Sequence, residues 1–185
     1  MDFDEFEDYM ENYRQIKMQC FTDGYHADGK FKKYGKYAKN PLFILNTRPL
    51  NGWFYSIVKF GYTHQIEDWY PPTPELFSHW ILKRKEHYAD VLEFFQDRSN
   101  NLIIVDISKK GWESFVAKYL GYEDCPPSFH TNVTHEKDVD SNHLEIGKQA
   151  ITLAYQNLNI NTQEQKSSFI DHPLTNLYKN NLGIL

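Results

Sequence analysis

Two side chains in the segment 42–56 have the types and the spacing needed to bind a phosphate group. Arg48 directly follows the short apolar run 42–47, and Ser56 lies eight residues after that arginine. A guanidinium can donate two parallel hydrogen bonds to phosphate oxygens, and a hydroxyl can donate a third. An arginine at the end of a strand is more often a surface or capping residue, so the pair by itself is only a hypothesis for a phosphate site.

The spacing of apolar residues predicts the elements that would position this pair. Two short apolar runs without alternation, 42–47 and 102–106, predict strands buried on both faces, as in a parallel sheet. Helical spacing predicts helices at 4–18, 53–58, 74–95, 111–120 and 144–158. The pattern favours an α/β fold with a parallel sheet, but two strands are too few for a sheet that is covered on both faces. We therefore expect a central strand to be missing.

Two helices carry more detailed predictions. Thr73 is a candidate cap for the long helix, with Pro74 at its first position. The buried stripe of this helix is predicted to comprise Leu76, Phe77, Trp80, Ile81, Tyr88, Val91, Leu92 and Phe95. Gly121 is expected to end the helix 111–120, whose inward residues are predicted to be Trp112, Phe115, Val116 and Tyr119.

Composition limits the class of protein. With 185 residues, 41% of them hydrophobic and 24% charged, the chain suits one globular domain, predicted at 1–160, followed by a polar, loosely ordered tail at 161–185. The net charge of −5 argues against general nucleic-acid binding. Two cysteines, an acidic N-terminus and no long apolar stretch predict a soluble, cytoplasmic protein that is not a membrane protein.

The segment Phe43–Ser56 resembles the 3'-phosphate motif of the sulfotransferase family, in which a strand ends in Arg and a Ser follows eight positions later. A second stretch is similar to the later strand of that family and to its Gly-Trp-Glu helix, Leu-Gly turn and closing Phe-Pro-His-x-Asn segment. It contains Leu102–Asp106, Gly111-Trp112-Glu113, Leu120-Gly121 and Phe129-His130-Thr131-Asn132. Together the two matches cover about residues 20–135.

The resemblance implies a P-loop-NTPase-like parallel sheet with flanking helices, incomplete at its N-terminus, that uses 3'-phosphoadenosine 5'-phosphosulfate (PAPS) as sulfonate donor. Arg48 and Ser56 correspond to the pair that holds the 3'-phosphate. His26, 22 residues before Arg48, is the candidate general base for a hydroxyl or amine acceptor, and Asp23 is the alternative. An exposed loop histidine without a catalytic role is an equally good interpretation of His26.

One departure from the family leaves the activity open. The family's glycine-rich loop with Lys and Thr or Ser, which holds the 5'-phosphosulfate, is absent from this sequence. The chain is therefore interpreted as a truncated sulfotransferase or a degenerate relative. The alternatives are a non-catalytic module that binds the bisphosphate nucleotide, or a partner, and a structural remnant without a ligand. His130, His135 and His143 lack the Cys or acidic partners of a metal site, so no metal is expected.

Overall fold

The computed structural model describes residues 31–32, 42–69, 71–123, 141–168 and 173–178. The described residues from Leu42 onward belong to one compact unit. Its elements in chain order are β1 (Phe43–Thr47), α1 (Leu50–His64), α2 (Pro74–Phe95), β2 (Leu102–Asp106), α3 (Trp112–Tyr119), α4 (Ser141–Asn157) and α5 (Thr162–Lys166), with short 3-10 helices at Glu67–Trp69, Gln96–Asn101 and Pro173–Tyr178. The unit is mixed α/β and mostly helical.

The two predicted strands pair in parallel and place their carboxyl ends side by side. Thr47, the last residue of β1, is in register with Asp106, the last residue of β2. Every residue of β2 is buried, as predicted. The prediction of burial on both faces is wrong for β1, because Ile44 is 45% exposed while Leu45 and Thr47 are buried. Among the described residues the sheet has these two strands.

Helix α2 explains why only one face of β1 is covered. Leu45 and Thr47 line a small cavity together with Tyr88 and Leu92 of α2, so that helix packs on their side of the strand. Ile44 lies on the opposite face, because side chains alternate along a strand. The exposed Ile44 side chain shows that the opposite face of β1 is only partly covered.

The long helix α2 begins and buries its side chains as the sequence predicts. The Thr73 hydroxyl accepts a hydrogen bond from the Leu76 N–H at 3.2 Å, and Pro74 occupies the first helical position. Six residues of the predicted stripe are buried: Phe77, Ile81, Tyr88, Val91, Leu92 and Phe95. Leu76 and Trp80 are half-buried. The apolar face of the helix therefore packs against β1 and the core.

The main core lies between α1, α2 and α4. Its buried members are Leu50, Phe54, Val58, Phe77, Ile81, Ala150, Ala154, Tyr155 and Ile160. Helix α4 approaches α1 closely at Gly147, where an added Cβ would lie 2.9 Å from the methyl carbons of Val58. Further along α4, Tyr155 contacts Asn51 in the first turn of α1.

The structure corrects the prediction for α3. None of its residues is fully buried, and Tyr119, predicted to face inward, is 41% exposed. Trp112 and Phe115 are only half-buried. The amphipathic pattern of this short helix therefore predicted more burial than the structure shows. Gly121 has φ +83°, which suits glycine, and ends the helix as predicted.

The first part of the polar tail is well organised, so the prediction of loose order is wrong for residues 161–168. The Asn161 carboxamide oxygen caps α5 by accepting hydrogen bonds from the N–H groups of Gln163 and Glu164 at 2.9 and 3.0 Å. The Glu164 carboxylate accepts one in return from the Asn161 N–H at 3.0 Å. A domain boundary at residue 160 stays a prediction.

Candidate anion-binding site at the ends of the strands

Arg48 stands where β1 passes into α1. Pro49 is the residue before the first helical turn, and it offers no side-chain cap to the turn's N–H groups. That turn also contains no acidic residue. The amino end of a helix carries a partial positive charge, which favours an anion nearby. The loop after β1 therefore combines a guanidinium with an uncapped helix terminus.

A second arginine, Arg84 of α2, is fixed at the same strand end. Its Nη2 donates hydrogen bonds to the Arg48 carbonyl at 2.6 Å and to the Thr47 hydroxyl at 3.3 Å. The guanidinium carbon lies 4.8 Å from the ring centre of Trp53 and 5.2 Å from that of Tyr88. These rings and hydrogen bonds hold the cation in one place.

The two arginines are not neutralised by nearby acids in the described part of the chain. The lysines on either side of Arg84 do have partners: Lys83 pairs with Glu86 at 2.8 Å and Lys85 with Glu164 at 3.4 Å. Across the described ranges, the guanidinium of Arg48 forms no ion pair or hydrogen bond, and Arg84 forms no ion pair.

Burial makes this uncompensated charge energetically costly. Desolvation, followed by the charge of Arg84, lowers the pKa of Arg48. Nη1 of Arg84 is buried and has no hydrogen-bond acceptor among the described residues. A buried donor left without an acceptor costs about 1–3 kcal/mol. The site thus holds two cations, one desolvated and one with an unpaired buried donor. An anion bound there would supply both a counter-charge and a hydrogen-bond acceptor.

The end of β2 carries a negative charge, and unlike the two arginines this charge has its hydrogen-bond partners in place. The buried Asp106 carboxylate accepts hydrogen bonds from the Ser108 N–H at 2.9 Å, the Ser108 hydroxyl at 2.5 Å and the Ser168 hydroxyl at 2.6 Å. Burial raises the pKa of Asp106, but the hydrogen bonds from Ser108 and Ser168 and the charge of Lys109 outweigh it, so the pKa lies below its usual value. This carboxylate is held by serines rather than by the arginines.

Thr47 and Ser168 connect the two strand ends. The Thr47 hydroxyl accepts from Arg84 and donates to the Ser168 carbonyl, while the Ser168 hydroxyl donates to Asp106. The chain after α5 therefore returns to the sheet and closes the edge at which both strands end. Ser168, a residue of the predicted tail, therefore helps to position the groups at the ends of both strands.

Ser56 lies on the same strand-to-helix unit as Arg48. At a rise of about 1.5 Å per residue, it is about 9 Å along α1 from Leu50. It is half-buried and follows Trp53 by three positions, which places both on one side of α1. The Trp53 ring is the one that contacts Arg84. Helix geometry thus places Ser56 on the side of α1 that Arg84 approaches.

A cleft of about 840 Å³ lies beside the first turns of α1. It is lined by Asn51, Tyr55, Lys148, Ile151, Thr152, Tyr155, Gln156, Asn159, Ile160 and Gln165. The Tyr155 hydroxyl donates a hydrogen bond to the Asn51 side-chain oxygen at 2.8 Å. Burial raises the pKa of Tyr155, while the positive charge of Arg84 acts to lower it. Because Asn51 belongs to the first turn of α1, the cleft adjoins the helix end that follows Arg48.

Several predicted site residues lie outside the described residues: His26, Asp23, His130 and His135. His143 is described, and its ring centre lies 4.3 Å from that of Tyr62. In the described ranges no three His, Cys, Asp or Glu side chains form a group that could hold a metal ion. In the same ranges, no helix has both the length and the apolar character needed to cross a membrane.

Sequence reasoning missed Arg84, but its position in the helix carried a signal. The buried stripe of α2 has a gap between Ile81 and Tyr88, and Arg84 fills that gap at helical spacing, three residues after one and four before the other. An arginine in an apolar stripe is a candidate functional residue. Asp106 and Ser168 carried no such signal, because 62 residues separate them.

Neither a protein family, nor a curated protein, nor a solved structure matches this chain.

Proposed function

We propose that this chain binds a nucleotide phosphate where β1 ends, and that the nucleotide is PAPS or the 3',5'-bisphosphate product that it leaves after sulfonate transfer. The observation that carries the proposal is the pair Arg48 and Arg84, two neighbouring cations without a carboxylate partner in the part of the chain described. The order of Arg, Pro and Ser at the end of a parallel strand supports the sulfotransferase interpretation of that pair.

Each neighbouring group has a role in this proposal. Arg48 would donate two hydrogen bonds to the 3'-phosphate, and the Ser56 hydroxyl would donate another. The uncapped first turn of α1 adds a favourable field for the same anion. The cleft beside α1 has a volume typical of small-molecule sites and offers room for other parts of the nucleotide or for the acceptor.

The proposed activity is transfer of a sulfonate group to a hydroxyl or amine. The acceptor atom attacks sulfur, the bond from sulfur to the 5'-phosphate oxygen breaks, and the bisphosphate nucleotide departs. The acceptor's proton passes to a general base, for which His26 is the candidate and Asp23 the alternative. The corresponding fold proposal is a P-loop-NTPase-like sheet of which β1 and β2 are two strands.

A non-catalytic nucleotide-binding module is the second candidate. It is favoured by the absence from this sequence of the glycine-rich loop that holds the phosphosulfate in sulfotransferases. Backbone N–H groups and a lysine in such a loop stabilise charge on the leaving phosphate, and removing one donor of this kind costs about 10²–10³-fold in rate. Phosphate binding at Arg48 does not require that loop.

Calorimetric titration of the 185-residue chain with adenosine 3',5'-bisphosphate tests both candidates. We expect saturable binding that weakens about 100-fold or more in Arg48→Ala, which loses two charge-assisted hydrogen bonds. The matched control is Arg98→Ala, since Arg98 is exposed, packs on Phe94 and precedes the amino end of β2. Absence of binding, or equal loss in both variants, contradicts the phosphate site.

A second measurement separates catalysis from simple binding. Turnover of PAPS with a panel of hydroxyl and amine acceptors, lost in His26→Ala while the bisphosphate still binds, would select the sulfotransferase. Binding without turnover on any acceptor would select the non-catalytic module.

A further inference from the structure

Arg84 has properties that a purely structural residue in its position would not need. Two of its contacts are aromatic rings, those of Trp53 and Tyr88, between which an apolar side chain would also pack. Its Nη1 is buried without an acceptor among the residues that the structure describes. Its Nη2 donates to the backbone carbonyl of Arg48, the residue proposed to hold the phosphate. A half-buried cation with one buried, unpaired donor thus contacts the backbone of a second cationic residue.

The described groups on α2, β2 and α4 that lie near Arg84 do not neutralise its positive charge. From α2, the neighbouring lysines pair with glutamates and Tyr88 donates its hydroxyl to the Asn46 carbonyl. From β2, Asp106 accepts its hydrogen bonds from serines. From α4, Tyr155 donates to Asn51. None of these contacts supplies a counter-charge to Arg84.

We propose that Arg84 is a positioning and selectivity residue of the phosphate site, which holds the backbone of Arg48 and makes the site prefer a terminal phosphate monoester, a dianion, over a singly charged diester. This inference rests on the proposed function, because it assumes that Arg48 binds phosphate. Two adjacent cations interact with a dianion more favourably than with a monoanion, and the difference grows as solvent is excluded. A lone arginine at a strand end would discriminate less.

The test compares adenosine 3'-phosphate with its 3'-phosphate methyl ester, at pH 8, where the first is a dianion and the second a monoanion. The wild-type chain is expected to favour the monoester by about tenfold or more. Arg84→Gln should lose most of that preference, with a larger loss of affinity for the monoester than for the diester. Arg84→Lys should keep part of the preference, because it keeps the charge.

Lys83→Gln is the matched control, since it removes one positive charge from an exposed position next to Arg84. It should leave the preference unchanged.

Equal loss of affinity for both ligands in Arg84→Gln and Arg84→Lys would show that Arg84 only supports the fold, and would overturn the inference. If neither ligand binds to the wild-type chain, or if Arg48→Ala has no effect, the proposed function itself fails. If Arg48→Ala abolishes binding while Arg84→Gln keeps the preference, only the inference fails.

Discussion

The ends of β1 and β2 lie side by side, but they carry groups of opposite charge that differ in how far their hydrogen bonds are satisfied. At the end of β2, Asp106 is buried with three hydrogen bonds from two serines. At the end of β1, Arg48 and Arg84 lie close together, and Arg84 keeps a buried donor without an acceptor in the described part of the unit. The first arrangement is typical of a structural polar cluster, and the second of a site prepared for a ligand.

The two strand ends are expected to contribute to stability in opposite directions. A buried carboxylate with three hydrogen bonds contributes to stability, because a hydrogen bond to an ionised acceptor is stronger than one between two neutral groups. Two uncompensated cations reduce stability until an anion binds. If the comparison is right, substitutions at the end of β2 change stability most, and substitutions at the end of β1 change binding most.

The largest effect on stability is expected for Asp106→Ala. It removes the acceptor of the hydroxyls of Ser108 and Ser168 and of the Ser108 N–H, so the free energy of unfolding should fall by about 3 kcal/mol or more. Urea denaturation followed by circular dichroism measures this. Asp97→Ala, at an exposed position, is the control and should change stability by less than about 0.5 kcal/mol. Similar losses in the two variants would contradict the structural role of Asp106.

A smaller effect is expected from acid, because protonation weakens the Asp106 cluster without removing the side chain. The pKa of Asp106 is lower in the folded protein than in the unfolded chain, so its stabilising contribution is complete above about pH 4 and is lost as the pH falls through the lowered folded value. The stability difference between wild type and Asp106→Asn should therefore be constant from pH 7 to pH 5 and shrink below about pH 4. A difference that already shrinks between pH 7 and pH 5 would contradict the lowered pKa.

How much of this could be read from the sequence depends on the range of the interactions. The strands, the Thr73 cap and the Gly121 stop were predictable because each follows from a few adjacent residues. Arg48 was predictable as a candidate for the same reason, since a strand end and an arginine are neighbours in the sequence. These predictions needed no knowledge of how distant segments meet.

The rest depends on contacts between distant segments. Arg84 reaches the Arg48 carbonyl across 36 positions, and Ser168 reaches Asp106 across 62. The tail containing Ser168 is rich in polar residues, which favoured the interpretation of loose order, although a polar segment can be ordered when its groups pair with buried partners. The exposure of Ile44 and Tyr119 was missed because apolar pattern alone does not show which elements cover a face.

The smallest effect on stability is expected for Arg84→Met, and it is the sharpest test of the comparison. The substitution loses the hydrogen bonds to the Arg48 carbonyl and the Thr47 hydroxyl, but it also removes a buried donor without a described acceptor and the repulsion between two cations. Because these contributions oppose one another, and because methionine packs well against the rings of Trp53 and Tyr88, the free energy of unfolding should change by no more than about 1 kcal/mol. Urea denaturation without ligand measures this change. A loss as large as that of Asp106→Ala would mean that both strand ends serve stability, and the distinction between them would no longer hold.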